Sequence, residues 1–244
     1  MDMRLDKAVA LAGLSRSEAR KAIQGGRVLV DGAPVRDPAM QVEPGRVRLD
    51  GGGVIEAGEL ILMVNKPAGV LTATEDRRFE TVLDLLPEPM RRRGLGPVGR
   101  LDKDVTGLVL LTTDGQLAHR LIAPKWKAEK VYRARCQGRL TGADAEAFAA
   151  GLTLSDFTAL PARLNILEAG EAESLADVTL TEGKFHQVKR MFAAVGNEVT
   201  ALHRCAFGPL ELDPELREGE WRELTEEEVR LLREAAGMFS LSGE

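Results

Sequence analysis

Residues 99–115 read Gly-Arg-Leu-Asp-Lys-Asp-Val-Thr-Gly-Leu-Val-Leu-Leu-Thr-Thr-Asp-Gly, and this segment constrains the fold more than any other. A charged stretch, Arg100-Leu101-Asp102, passes through Gly107 into the apolar run Leu108 to Leu111. The run is short and stops at Thr112-Thr113-Asp114-Gly115, a turn signal, so it predicts a buried strand. A guanidinium and a carboxylate therefore precede a core strand, where the scaffold is rigid. That placement suits a catalytic loop. For an isolated Arg-x-Asp, the commoner outcome is a solvated pair on a loop.

The rest of the chain is organised around this strand. Leu60-Ile61-Leu62-Met63-Val64 predicts another, and further strands are predicted near 129–137, 161–168, 174–181 and 197–204. Helices are predicted near 81–86, 115–123, 141–150 and 185–195, with Thr141 and Asp144 fitting a cap. There is no regular β-α-β-α alternation and no glycine fingerprint for phosphate. The expected fold is α+β, with a mostly antiparallel sheet. In the helix at 185–195, Phe185, Val188, Phe192 and Val195 recur at helical spacing and are expected to face the core. His186, Lys189, Arg190 and Ala193 fall on the other side.

Residues 3–50 read as a separate small module. A helix is predicted from about Arg4 to near Gly13, and Ser15-Arg16-Ser17-Glu18 has capping-box spacing for a second. Gly25-Gly26 stop that helix. Arg27 to Val30 then reads as a strand, Asp31-Gly32 as a tight turn and Ala33-Pro34-Val35 as the return. The pattern resembles the S4 RNA-binding domain. That resemblance makes Arg4, Arg16, Arg20, Lys21 and Arg27 candidates for phosphate contacts, which position RNA without reading its sequence. Gly51-Gly52-Gly53 through Gly58 predict a linker. The expected domains are 1–58 and 59–244.

With 244 residues the chain has room for such a division, and its apolar content suffices for a real core. No stretch reaches the length of a membrane span, and the N-terminus shows no apolar signal region. A cytoplasmic monomer is expected, with no membrane partner. Cys136 and Cys205 have no metal-like spacing, and His119, His186 and His203 are dispersed, so no metal is expected. The net charge of −5 argues mildly against nucleic acid, but basic residues cluster at Arg91–Arg93, at Lys125, Lys127, Lys130, Arg133 and Arg135, and at Lys184, Lys189 and Arg190. Acids gather at 211–228, so a basic face with an acidic back is expected.

Four segments, in order, resemble the pseudouridine synthases that share a Gly-Arg-Leu-Asp signature. They are Asn65-Lys66-Pro67-Ala68-Gly69, Gly99-Arg100-Leu101-Asp102, Glu129-Lys130-Val131-Tyr132, and Glu182 to Phe192. The run from Met191 to Asn197, with Leu202-His203-Arg204, is most similar to the branch of that family acting on small-subunit rRNA. One departure stands at Val105, where the family commonly has a second threonine.

The resemblance implies isomerisation of uridine without a cofactor: the N1–C1′ bond breaks, the uracil turns, and C5 joins C1′. The base must leave its stack, at a cost of roughly a few kcal/mol. Asp102 is then the catalytic carboxylate, either attacking C1′ or removing the C2′ proton. Tyr132, the only tyrosine in the chain, is implied to stack on the target uracil. A carboxylate in a dry pocket needs a nearby cation to stay ionised, and the resemblance assigns that cation to Lys189, with Arg190 adjacent. Arg100 is implied to fill the place vacated by the base. Asn65, Lys66, His186 and Gln187 complete the expected substrate-binding set. The expected partner is 16S rRNA or a partly assembled small ribosomal subunit. The alternatives are 23S rRNA, a non-catalytic assembly factor, or a glycoside hydrolase. The last usually needs two carboxylates across a cleft, which Asp102 and Asp104 on alternating faces do not supply.

Overall fold

The computed structural model describes residues 2–12, 14–50, 59–91 and 93–238. The predicted glycine linker, Gly13 and Arg92 lie outside these.

The N-terminal module runs β1 (Met3–Arg4), α1 (Leu5–Ala10), α2 (Arg16–Gln24), β2 (Val28–Val30), β3 (Ala33–Pro34), β4 (Gln41–Val42) and β5 (Val47–Leu49). Ser15 caps α2 as its spacing predicts: its hydroxyl accepts the Glu18 N–H at 3.2 Å, and the Glu18 carboxylate accepts the Ser15 N–H at 2.7 Å. Asp31 and Gly32 both take positive φ, 52° and 81°, the geometry of a two-residue hairpin turn. The first helix is shorter than expected: Arg4 pairs with Gln41 as a strand residue, and the helix ends at Ala10. Leu5, Val9, Ala19, Ile23, Val28 and Val47 make this module's own core.

The larger unit holds β6 (Ile61–Lys66), α3 (Glu88–Arg91), β7 (Gly96–Pro97), β8 (Thr106–Thr112), α4 (Gly115–Ile122), β9 (Lys130–Gln137), α5 (Gly142–Ala150), β10 (Arg163–Ala169), β11 (Glu173–Leu180), α6 (Gln187–Ala194), β12 (Glu198–Phe207), β13 (Leu210–Glu211), β14 (Trp221–Glu223) and α7 (Glu226–Ala235). The sheet order is β10-β11-β9-β12-β8-β6-β14, with β13 on β12 and β7 on β8. Every pairing is antiparallel except β12 with β8. Both apolar runs are central strands covered on both faces, which is why they lack a polar alternation. Leu62, Val64, Val109 and Leu111 enter one core; Ile61, Met63, Leu108 and Leu110 enter the other. Gly107 lets the parallel pair close: its φ is +104°, and a Cβ there would lie 2.4 Å from the Arg204 carbonyl oxygen.

Two expectations fail here. No helix forms at 81–86. Asp84 instead accepts the Thr81 N–H and hydroxyl at 2.9 and 2.8 Å, and Thr81 bridges to Leu71, so a local side-chain turn outcompetes the helix. Phe185 is not in the core but 74% exposed, because His186 takes a left-handed φ of 51° and α6 starts only at Gln187. Val188 and Phe192 are buried as expected, Met191 joins them, and Val195 packs partly buried against the same core.

Candidate active site

The segment from Arg100 to Val105 is a loop pinned from three sides. Thr72 both donates to the Leu101 carbonyl (3.0 Å) and accepts the Leu101 N–H (3.1 Å). The Gly69 N–H donates to the Lys103 carbonyl at 2.8 Å. Lys66, with no solvent exposure, donates to the carbonyls of Pro67 (2.9 Å), Lys103 (3.2 Å) and Val105 (2.7 Å). Burial pushes its ammonium pKa down to about 8, against the opposing pull of Asp104 and Asp102. Within the Asn65–Gly69 motif, Lys66 and Gly69 thus act on the loop's backbone. Asp102 opens a turn whose Val105 N–H returns to its carbonyl at 3.1 Å.

This loop forms one wall of a cleft of about 460 Å³ empty volume, which Arg100, Asp102, Tyr132, His186, Gln187 and Lys189 all line. Tyr132 arrives from β9, whose burial alternates so that Lys130, Tyr132, Ala134 and Cys136 point inward. The residue is 8% exposed. Arg100 is exposed at the mouth. His186 Nε2 stands 3.6 Å from Asp102 Oδ2, with its ring stacked on Phe185 at 3.8 Å between centroids.

The cations expected beside Asp102 are placed otherwise. Lys189 lines the cleft but pairs with Asp104 at 2.6 Å, and this bond holds the Asp104 carboxyl below its usual range. Arg190 turns away to Asp156 and Ser155. Successive helix residues point about 100° apart, so the two cannot share one target. Gln187 spends its amide on the neighbouring turn, accepting the Lys184 N–H (2.9 Å) and donating to Glu182 (2.6 Å). Asn65 and Lys66 do not reach the cleft: Asn65 donates to the Leu216 carbonyl at 2.7 Å, and Lys66 is the buried clamp. Thr72 has no motif to mark it, since its contact at Leu101 lies 29 residues away in the chain.

The expected basic face is thinner than the sequence suggests. Arg133 and Arg135 pair across the strands with Asp177 and Glu173, Arg91 with Asp84 and Glu88, and Lys130 is buried. In the N-terminal module, Arg4 and Arg20 share Asp6, and Arg27 pairs with Asp50. Arg16 and Lys21 make no ion pair among the described residues.

A sheet-borne cleft with one carboxylate on a clamped turn, beside an inward tyrosine, joins an S4-like module in this chain. The S4 domain matches residues 3–48, and the RNA pseudouridylate synthase family matches residues 60–194, more than half of the chain. The chain belongs to the RNA pseudouridylate synthase family and is an isomerase. It is 45% identical over 237 residues to the Uncharacterized RNA pseudouridine synthase YtzG of Bacillus subtilis (strain 168), covering 95% of this chain and 99% of that protein. It is 43% identical over 232 residues to the Ribosomal small subunit pseudouridine synthase A of Escherichia coli (strain K12), covering 93% and 98%. A crystal structure of a pseudouridylate synthase aligns with a TM-score of 0.67 at 37% identity, covering 94% of this chain and 99% of that one.

Among the described residues no helix is long and apolar enough to cross a membrane.

Proposed function

We propose that this protein converts one specific uridine of 16S rRNA to pseudouridine, with Asp102 as the catalytic carboxylate. The observation that carries the chemistry is the convergence of Asp102 and Tyr132 on one cleft, with Asp102 on a backbone clamped by Lys66 and Thr72. A fixed carboxylate costs no reorganisation when the sugar C1′–C2′ edge arrives. Tyr132 offers its ring to the extruded uracil, and Arg100 at the mouth is free to enter the space the base leaves. Lys189, on α6, balances the charge of the turn carrying Asp102 and Asp104. His186, at the start of the same helix, steadies Asp102. Arg190, held on Asp156, takes no part.

The choice of 16S rRNA rests on the Escherichia coli relative, whose name assigns it to the ribosomal small subunit. The substrate is the RNA itself or a partly assembled small subunit. The division of labour places RNA affinity in residues 1–58, through Arg16 and Lys21, and chemistry in residues 59–244, in a cytoplasmic monomer. Mapping pseudouridine in both rRNAs of cells with and without the gene tests the proposal. One site is expected to disappear from 16S rRNA. Loss of a 23S site instead assigns the large subunit, and no loss in either rRNA overturns the proposal.

A further inference from the structure

A second cleft, of about 1290 Å³ empty volume, adjoins the first and shares Arg100, Tyr132, Gly183 and Lys184 with it. Its floor is unusual. Lys130 is 9% exposed and Arg204 2% exposed, and both line it beside Phe207. The Lys130 ammonium and the Arg204 guanidinium lie 5.4 and 5.2 Å from the Phe207 ring centre. Neither makes an ion pair among the described residues. Lys130 donates to the Ala128 carbonyl at 2.8 Å, Arg204 Nε donates to the Leu108 carbonyl at 2.7 Å, and Arg204 Nη2 has no partner.

Two neighbouring buried cations without an anion are costly, because each charge has left water and they repel one another. The one carboxylate on this cleft is Glu182. Its Oε1 is already occupied by Gln187 Nε2 (2.6 Å) and the Leu160 N–H (2.8 Å). Burial first, then Arg204, push the Lys130 ammonium down to about 8, with Glu182 opposing. Glu182 alone does not offset both cations, so the floor keeps an excess of positive charge, and the half-exposed Ile122 and Leu160 leave its rim open to a large ligand.

We propose that Lys130 and Arg204 form a phosphate subsite, which receives a backbone phosphate next to the nucleotide held at Asp102. The reading rests on the proposed RNA substrate. The shared wall of Arg100 and Tyr132 puts the subsite beside the reaction cleft, where the backbone of a flipped nucleotide must pass. A phosphodiester gives each cation an acceptor at once, and charge-assisted bonds of this kind are the strong ones. The same chemistry would accept free inorganic phosphate, so the two sources are separated below.

The test uses the full chain and a five-nucleotide RNA with one central uridine, each linkage replaced singly by an uncharged methylphosphonate. One linkage adjoining the uridine is expected to lose about tenfold in affinity when neutralised. Lys130→Gln is expected to lose about the same with unmodified RNA and to become indifferent to that linkage. Equal effects at all linkages, in both proteins, overturn the proposal. A second reading needs no variant: the 13Cε resonance of Lys130 is titrated with and without the RNA. RNA is expected to raise the midpoint by at least one pH unit, and an unmoved midpoint overturns the subsite. Micromolar binding of inorganic phosphate that survives saturation with RNA overturns the assignment to the RNA backbone. Conversion of rRNA is scored separately, so a protein that binds the oligonucleotide through Lys130 but modifies no rRNA fails the proposed function and not this subsite.

Discussion

Lys189 Nζ lies 2.6 Å from Asp104 Oδ2, while Asp102, two residues earlier, faces His186 Nε2 at 3.6 Å. The two carboxylates of one turn therefore have different surroundings. Asp102 is 30% exposed and lines the cleft, whereas Asp104 is 71% exposed. Of the two, Asp102 alone lines the cleft. Asp102→Asn is expected to retain RNA affinity and to lose roughly a thousandfold or more in single-turnover rate. Asp104→Asn is expected to stay within about threefold of wild type, because an exposed ion pair contributes roughly 0–1 kcal/mol. Single-turnover release of tritium from 5-tritiated uridine RNA measures both. A slow Asp104→Asn and a normal Asp102→Asn would exchange their roles.

Lys66→Met tests the clamp. The substitution is close in volume but removes the donor to three carbonyls, two of them on the loop bearing Asp102. Orphaned buried acceptors cost about 1–3 kcal/mol each, partly recovered if water enters. A stability loss of about 2–4 kcal/mol in urea titration is expected. Because the loop also holds the carboxylate, turnover is expected to fall more than RNA affinity. A variant as stable and as active as wild type would remove the clamp from the account.

The N-terminal module carries a pH dependence at Asp6. Its side chain is 4% exposed and bonded to Arg4 and Arg20. The Arg4 hydrogen bond leads the causes that hold its carboxyl at about 2, below the ordinary 3.8, with burial opposing. A lowered folded pKa stabilises above the unfolded value, and the benefit disappears as pH falls from about 3.8 through about 2. The contribution is roughly 1–2 kcal/mol at neutral pH, discounted for the exposed arginines. Hydrogen exchange at Leu5–Val9 is expected to accelerate across that window in wild type and to be fast and pH-insensitive in Asp6→Asn, after correction for intrinsic rates.

Arg16 and Lys21 are the cations of this module left without acidic partners among the five singled out by sequence. Arg16→Gln with Lys21→Gln is expected to weaken RNA binding and to lower the slope of log affinity against log salt by about one to two, since fewer counterions are released. Deleting residues 1–58 is expected to act in the same direction while leaving slow, Asp102-dependent turnover at high RNA concentration. Filter binding between about 50 and 200 mM salt reads the slope. Unchanged affinity and slope would remove RNA contact from the module.

Local signals in the chain were enough for much of the fold. The Ser15 and Glu18 capping box, the Asp31-Gly32 turn and the apolar strands β6 and β8 are each decided by atoms a few residues apart. The motif at Gly99–Asp102 likewise marked the loop that borders the cleft. The choice of partners lay beyond such signals. Lys189 and Asp104 are 85 residues apart, and Lys66 and Val105 are 39 apart. Which carboxylate a lysine meets, or whether it meets carbonyls instead, follows from where the sheet register and the left-handed turn at His186 deliver each side chain. The same holds for Lys130 and Arg204, on adjoining strands β9 and β12. Their burial as an unpaired couple exists only once those strands pair, because charge compensation depends on distances in space that no spacing along the chain encodes.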